Sequence, residues 1–316
     1  MKKFISMTFI TLGLVGVMFG VAFGESYPNG AEGLKCATLP PPGFYYKMYN
    51  AYVTADKVMD PGGDEAQVMG PDGEVPIDFD AKIFVNAHRF LWISDDIKLF
   101  GANYGADVFI PIWYKDIDFN IGSLYDYDDS QWNLGDIIIE PFVLAWHGPR
   151  YDASAAVALF LPTGDDEEPA DPGENMYTTM FTLGGTYYFD EAKTWSASIL
   201  GRYEIHHSDY DDTDIKPGDD FHFEWGVGKT LAQVWDVGVV GYCQWQVTED
   251  SGSGSSSDKD RGYAIGPEVS VFIPPMKLFV SLRSEFEFST EGGGVTPLPL
   301  GRPEGNRTWL ILTKIF

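Results

Sequence analysis

Between Trp195 and Ile205 the odd positions are Trp195, Ala197, Ile199, Gly201, Tyr203 and Ile205, and the positions between them include Ser196, Ser198, Arg202, Glu204 and, one step on, His206. The same period of two recurs downstream. Phe221, Phe223, Trp225 and Val227 alternate with His222, Glu224, Gly226 and Gly228, and Leu278, Val280, Leu282 and Phe286 alternate with Ser281, Arg283, Glu285 and Glu287. Successive side chains on a strand point to opposite faces, so each run predicts a strand with one apolar and one polar face.

Extended along the chain, the pattern predicts strands at about 44–56, 77–93, 97–115, 132–146, 151–162, 176–189, 194–207, 219–231, 235–248, 261–273, 277–289 and 307–316. Five connectors are tight: Ser94–Asp96, His147–Arg150, Asp190–Lys193, Ala232–Val234 and Pro274–Met276. Those between them are long, acidic and rich in Gly, Pro and Ser. A soluble barrel or sandwich shares the period of two but turns its apolar face inward. A membrane barrel turns that face to lipid and lines its lumen with the polar one.

Three features favour the membrane version. The polar face keeps charges that oppose one another on neighbouring strands. Trp195, Trp225, Trp245, Tyr187 and Phe189 lie near strand ends on the apolar face, where interfacial girdles sit. The chain stops at Phe316, at the end of its last strand, as assembly signals of outer-membrane barrels do. The expected fold class is therefore all-β: a transmembrane antiparallel β-barrel of about 12 strands, with short periplasmic turns and long acidic outer loops.

Residues 1–24 read as a signal peptide, with Lys2 and Lys3 ahead of an apolar stretch from Phe4 to Phe19 and a small-residue end at Gly24. No later apolar run reaches about eighteen residues, so membrane helices are not expected. Residues 25–43 form a Pro-rich leader that either hangs in the periplasm or folds back as a plug, and 44–316 form the barrel. Cys36 lies too far downstream for a lipoprotein. Cys243 falls on the outward face, so a disulfide between the two is not expected.

Composition sharpens the picture in two respects. Aromatics make up 15% of the chain, as girdles require, and the formal charge is -26. More than half of the acidic residues fall in the stretches 60–80, 116–129, 165–174, 209–220 and 249–260, all read as long loops. Such a balance excludes nucleic acid as a partner. The expected partners are outer-membrane lipid and lipopolysaccharide, the barrel-assembly machinery and a small-molecule solute.

Several stretches carry a resemblance: LPPPGFYY at Leu39–Tyr46, GDIIIEPF at Gly135–Phe142, WHGPRYDAS at Trp146–Ser154, FLPTG at Phe160–Gly164 and FEWGVGK at Phe223–Lys229. Over about 36–316 the chain resembles the meta-pathway phenol-degradation family of outer-membrane proteins. That resemblance implies a barrel admitting hydrophobic or aromatic substrates, and it carries over no catalytic or binding residue.

The candidate site is the set of polar residues expected to face the lumen: Asp136, Glu140, Asp152, Arg202, Glu204, His206, His222, Glu224, Glu268, Arg283, Glu285 and Glu287. Such a set could form a constriction that selects solutes, or a salt-bridge network that fills the lumen. Pro141 and Pro267 fall near mid-strand, where a missing donor could open a lateral gap or simply bend the strand. No enzyme is expected: His207, Ser208 and Asp209 alternate between faces, and there is no G-x-S-x-G motif. Neither metal nor cofactor is expected, since Asp209–Asp214 lacks the Gly and terminal Glu of a calcium loop. The acidic loops read as solvated surface or as cation bridges to lipopolysaccharide. The expected role is passive uptake of small hydrophobic or aromatic compounds. The alternatives are a narrow cation-preferring porin for polar solutes and a closed structural barrel, with an outer-membrane lipid hydrolase disfavoured.

Overall fold

The computed structural model describes residues 26–70, 73–123, 125–166, 170–209, 215–253, 255–293 and 301–316. The expected signal peptide and the acids at 211–214 lie outside them. In chain order the strands are β1 (Gly43–Met59), β2 (Gln67–Gly70), β3 (Gly73–Pro76), β4 (Asp78–Leu99), β5 (Ala102–Ile121), β6 (Tyr125–Leu134), β7 (Ile137–His147), β8 (Tyr151–Leu161) and β9 (Thr178–Tyr188). They continue as β10 (Trp195–His206), β11 (Ile215–Lys216), β12 (Asp220–Leu231), β13 (Trp235–Gln246), β14 (Ser251–Gly252), β15 (Arg261–Ile273), β16 (Leu278–Glu291) and β17 (Arg302–Ile315). No α-helix occurs among the described residues.

Thirteen of these strands form one antiparallel sheet, closed on itself through the β4–β5 pairing. Strands β6 and β7 both pair with β5, so they are two halves of one stave interrupted at Gly135–Asp136. The result is a closed barrel of twelve staves. Closure by β1 on β17 runs from Tyr45↔Ile315 to Met59↔Arg302 and leaves no free edge on the first or last strand. The outward face is apolar where the alternation predicts it, with Ile199, Val227, Val239, Ile265, Leu282 and Phe286 exposed and Arg202, Glu204, His222, Glu224, Arg283 and Glu285 buried on the inside.

Several boundaries differ from expectation. The first tight turn is Phe100–Gly101, not Ser94–Asp96. Both turn residues hold positive φ (52° and 81°), the backbone that a two-residue hairpin needs. The Ser94 region is instead an irregularity of β4, where the register with β5 shifts between Ile93 and Lys98 and Ser94 Oγ accepts the Ile97 N–H. The stretch 116–129 is not a long loop. Asp116, Asp118, Asp126, Asp128 and Asp129 sit on paired β5 and β6, and three acids meet directly in the rungs Asp80↔Asp118 and Asp118↔Asp128. Polar residues there suggested a loop, but apolar alternates such as Ile117 and Phe119 face a core formed with Val68, Ile77 and Phe79 under the β2–β3 hairpin.

The lumen wall has two unlike halves. On β10, β12, β15 and β16 it carries the predicted charges. On β1, β4, β5, β7–β9 and β17 the inward positions are largely apolar, including Tyr49, Val53, Ile83, Val85, Ile138, Phe160, Met180 and Ile311. The expectation of a polar face throughout came from the downstream strands and does not hold for the upstream ones.

Candidate functional site

The leader fills the middle of the lumen. Tyr27, Asn29, Ala31, Cys36 and Ala37 are buried, and Tyr27 packs in the same apolar cluster as Phe109 and Ile311. Backbone amides of the leader are held by three carboxylates from the charged half-wall. Glu204 accepts from Ser26 (2.9 Å) and Tyr27 (3.3 Å), Glu224 from Glu32 (2.7 Å) and Gly33 (3.3 Å), and Glu268 from Leu34 (2.8 Å). Arg307 donates to the Asn29 carbonyl at 3.0 Å. A buried amide needs a partner, and an irregular segment inside a barrel finds none in the ladder, so these side chains supply them. Gly30 and Gly33 take positive φ and lie so close to Glu285, Arg283 and Glu268 that a Cβ would overlap those side chains.

The wall carboxylates are in turn held by charge. Arg202 Nη1 reaches Glu224 at 2.7 Å, His222 Nε2 lies 2.9 Å from Glu204, and His206 Nε2 lies 3.2 Å from Asp220. Arg283 Nη1 meets Glu268 at 3.2 Å, and its Nε lies 3.7 Å from Glu285. Glu287 belongs to a separate group, with Arg307 at 3.2 Å, Arg302 at 3.6 Å and the Tyr242 hydroxyl at 2.5 Å.

On the apolar half-wall Arg89 is a buried cation held by two carboxylates. Arg89 Nη2 donates to Asp107 (2.6 Å) and Glu140 (3.0 Å), and its guanidinium stands 4.6 Å from the Phe109 ring centroid. From the leader, Glu32 joins this group through Arg89 Nη1 at 3.5 Å and also takes Lys47 (2.6 Å) and the Tyr49 hydroxyl (2.7 Å).

Between the leader and the turn end lies a cavity of about 700 Å³. Leu34, Leu39, Pro40 and Pro41 of the leader roof it, and Tyr45, Leu91, Phe109, Val143, Leu200, Ile311 and Ile315 give it apolar walls. Its acidic lining residues, Glu32, Glu140, Asp152, Asp236 and Glu268, are matched in number by Lys35, Lys47, Arg89, Lys193 and Arg202. At its mouth Asp152 accepts the Tyr188 hydroxyl at 2.6 Å and faces His147 at 3.1 Å and Lys193 at 3.7 Å. Lys35 reaches Asp236 at 2.8 Å and Thr38 donates to Thr186 at 2.9 Å, tying the leader to the turn end.

The predicted residues therefore fall into separate places. Arg202, Glu204, His206, His222 and Glu224 come together, as do Glu268, Arg283 and Glu285. Asp136, Glu140 and Asp152 join neither group and have separate partners. Asp136 sits in the interruption between β6 and β7, where its carboxylate accepts the N–H groups of Thr163, Gly164 and Glu174 and pins the connection after β8. Burial raises its pKa against those bonds. Glu140 belongs to Arg89, and Asp152 to the mouth. Sequence reasoning missed Lys47, Arg89, Asp107, Arg302 and Arg307. The signal was present for Arg89, the one charge among the inward positions Ile83, Val85, Ala87 and Leu91.

Both prolines interrupt the ladder, in different ways. Pro141 lies in a bulge, since β7 has one extra residue relative to β5 and to β8 at this point. The Tyr104 hydroxyl covers its carbonyl at 2.6 Å. Pro267 causes no register shift, but the β15–β16 pairing skips from Ile265↔Phe286 to Glu268↔Arg283, leaving Gly266 and Pro267 without rungs. Phe316 N–H bonds the Phe44 carbonyl at 3.2 Å, beside the barrel closure. His207 and Ser208 are engaged separately, by Thr179 and by the Tyr177 N–H. Cys36 and Cys243 are both free thiols.

The fold is similar to that of the COG4313 outer membrane channel from Pseudomonas putida F1, with a TM-score of 0.68 and 14% identity over 92% of this chain and 100% of that one. Two further structures overlay more loosely. One is the β domain of the Bordetella autotransporter Brka (TM-score 0.47, 11% identity, 87% and 100% covered), and the other a Pseudomonas aeruginosa FadL homologue (0.43, 10%, 96% and 98%). No curated protein matches the sequence. The family described as "Putative MetA-pathway of phenol degradation" matches residues 55–296, and the chain belongs to it.

Proposed function

We propose that this protein is an outer-membrane channel for the passive uptake of small, uncharged hydrophobic or aromatic compounds. The turn end faces the periplasm and the loop end the cell exterior, as the distribution of short and long connectors supports. The observation that carries the reading is the cavity below the leader. Its walls are largely apolar, its opposite charges are equal in number, and each of them is paired, Arg202 with Glu224 and Glu268 with Arg283 from outside the lining. A site without net charge gives an ion no compensation for lost hydration, whereas a neutral aromatic molecule loses little on entering it. The acidic outer loops point the same way by repelling anions such as aromatic carboxylates.

A closed structural barrel is the second reading, and the five leader amides held by Glu204, Glu224 and Glu268 favour it. Planar-bilayer recording of the mature chain separates the two. Brief, small openings that grow when residues 26–41 are deleted support a channel gated by its leader. Silence from both proteins, each correctly folded, supports the closed barrel. The interrupted rungs at Gly266 and Pro267 supply a candidate lateral exit toward lipid.

A further inference from the structure

The ring of Tyr27 lies against the charged half-wall. It faces the Arg202 guanidinium at 4.1 Å and stacks on His222, with centroids 6.2 Å apart and planes 24° from parallel. Arg202 and His222 are register partners on β10 and β12, so their side chains form one platform. Two carboxylates fix that platform: Glu224 takes Arg202 at 2.7 Å, and Glu204 lies 2.9 Å from His222 Nε2. Phe109 completes the slot, its ring at 88° to that of Tyr27 and 6.5 Å away between centroids.

A guanidinium over a ring face and a second ring at right angles are both contacts to a π system. A saturated group of the same size gains neither. The slot is therefore built for an aromatic ring, not for any apolar group. The Tyr27 hydroxyl adds little, since its contact with Glu32 Oε1 is long at 3.4 Å, while the Tyr49 hydroxyl reaches the same oxygen at 2.7 Å. Tyr27, Phe109 and Arg202 also line the cavity of about 700 Å³, so a solute held there stands beside the occupied slot.

We propose that Arg202, His222 and Phe109 form a binding subsite for a neutral aromatic solute such as a phenol, and that Tyr27 is its tethered occupant. This deepens the uptake reading and rests on it for the chemical class of the solute. The Tyr27 side chain is itself a phenol, carried into the slot by the leader. A free phenol takes the same face of Arg202 and the same side of Phe109 by displacing it. Binding of the solute and withdrawal of Tyr27 are then one event. A tethered group competes at a local concentration in the millimolar range, so phenol acts at millimolar concentrations.

Cys36 reports the position of the leader, because it is buried with its Sγ 3.7 Å from the Glu224 carbonyl. In a Cys243→Ala background, the refolded mature chain is labelled with a maleimide in phenol or in cyclohexanol, a saturated ring of similar size with the same hydroxyl. Labelling should rise about tenfold with phenol, saturating in the millimolar range, and stay at its basal rate in cyclohexanol. Two variants probe the slot without a solute. Tyr27→Phe keeps the ring and should label at nearly the wild-type rate. Tyr27→Leu keeps an apolar side chain without the ring, and should label about tenfold faster with no further response to phenol. Unchanged heat-modifiable migration of the barrel verifies folding in each case. No response to phenol, an equal response to cyclohexanol, or equal protection in Tyr27→Phe and Tyr27→Leu would overturn the proposal. Protein-dependent uptake of phenol by cells, measured alongside, separates the two readings. Uptake without a labelling response removes the slot and leaves the channel, whereas a full labelling response without uptake leaves the slot and removes the channel.

Discussion

Glu224 holds the backbone nitrogen of Glu32 at 2.7 Å with one carboxylate oxygen while its other oxygen takes the Arg202 guanidinium at 2.7 Å. One wall residue thus joins the charged lining to the leader. Glu224→Gln replaces an acceptor with an amide N–H facing the leader's own donors. Charge-assisted bonds of this kind contribute roughly 1.5–3 kcal/mol, so Cys36 should become about 10–100-fold more reactive toward maleimide. A labelling rate equal to that of the wild type would mean that the leader is held by other contacts.

Arg89 compensates Asp107 and Glu140 from inside the apolar half-wall. Arg89→Leu leaves two carboxylates facing each other without their cation, a loss of roughly 3–5 kcal/mol. Urea titration of the refolded barrel in lipid should show a lowered midpoint. Adding Asp107→Asn should recover part of it, because the second change removes one of the stranded charges. If the double variant falls further than the single one, the group is not organised around Arg89.

The outer loops should loosen as pH rises. Burial raises Glu174 to about 7, and it raises Asp260 to about 6 despite Arg302 and the Gly293 N–H, which pull the other way. In the unfolded chain both groups titrate near pH 4. Between these values the folded loops bind more protons than the unfolded ones, so the stability of the loops falls as pH increases through the window from about 4 to 7. After correction for intrinsic rates, amide exchange in 170–177 and 255–260 should be faster at pH 8 than at pH 5. Glu174→Gln should flatten the difference in the first segment.

At Pro267 the β15 backbone cannot donate, and two successive rungs to β16 are missing. Pro267→Val supplies a donor and a β-branched side chain on the lipid-facing surface. It should raise the barrel's stability by about 1 kcal/mol. If the interruption serves as an exit, uptake of a hydrophobic solute should fall in the same variant while ion conductance stays constant. Unchanged uptake would leave Pro267 as a bend.

The sequence was legible where one periodicity was repeated and opposed by clear chemistry. From β10 to β16 the alternation of Trp, Val and Leu with Arg, Glu and His gave both the strands and their inward faces. It failed on β4 to β6, where polar residues sit on paired strands. On the paired strands β5 and β6 the outward positions turn acidic and imitate a loop, while Ile117 and Phe119 keep the inner period. The Ser94–Asp96 bulge imitated a turn because it has turn composition. The true turn at Phe100–Gly101 contains an aromatic residue with positive φ, which composition does not advertise. The pairing of Asp136 with loop amides rather than a place on the lumen wall depends on the interruption of a stave, and no spacing in the sequence marks it. The destination of the leader was likewise open, since its prolines excluded a strand but left lumen and periplasm equally available.

The most direct test of transport uses intact cells, where lipopolysaccharide limits the entry of hydrophobic solutes. Initial uptake of a neutral phenol and of a benzoate anion is measured in cells with the protein, cells without it, and cells carrying the chain with residues 26–41 deleted. The account predicts protein-dependent entry of the phenol, faster still without the leader, and little entry of the benzoate. Equal rates for the phenol with and without the protein, or a preference for the anion, would contradict it.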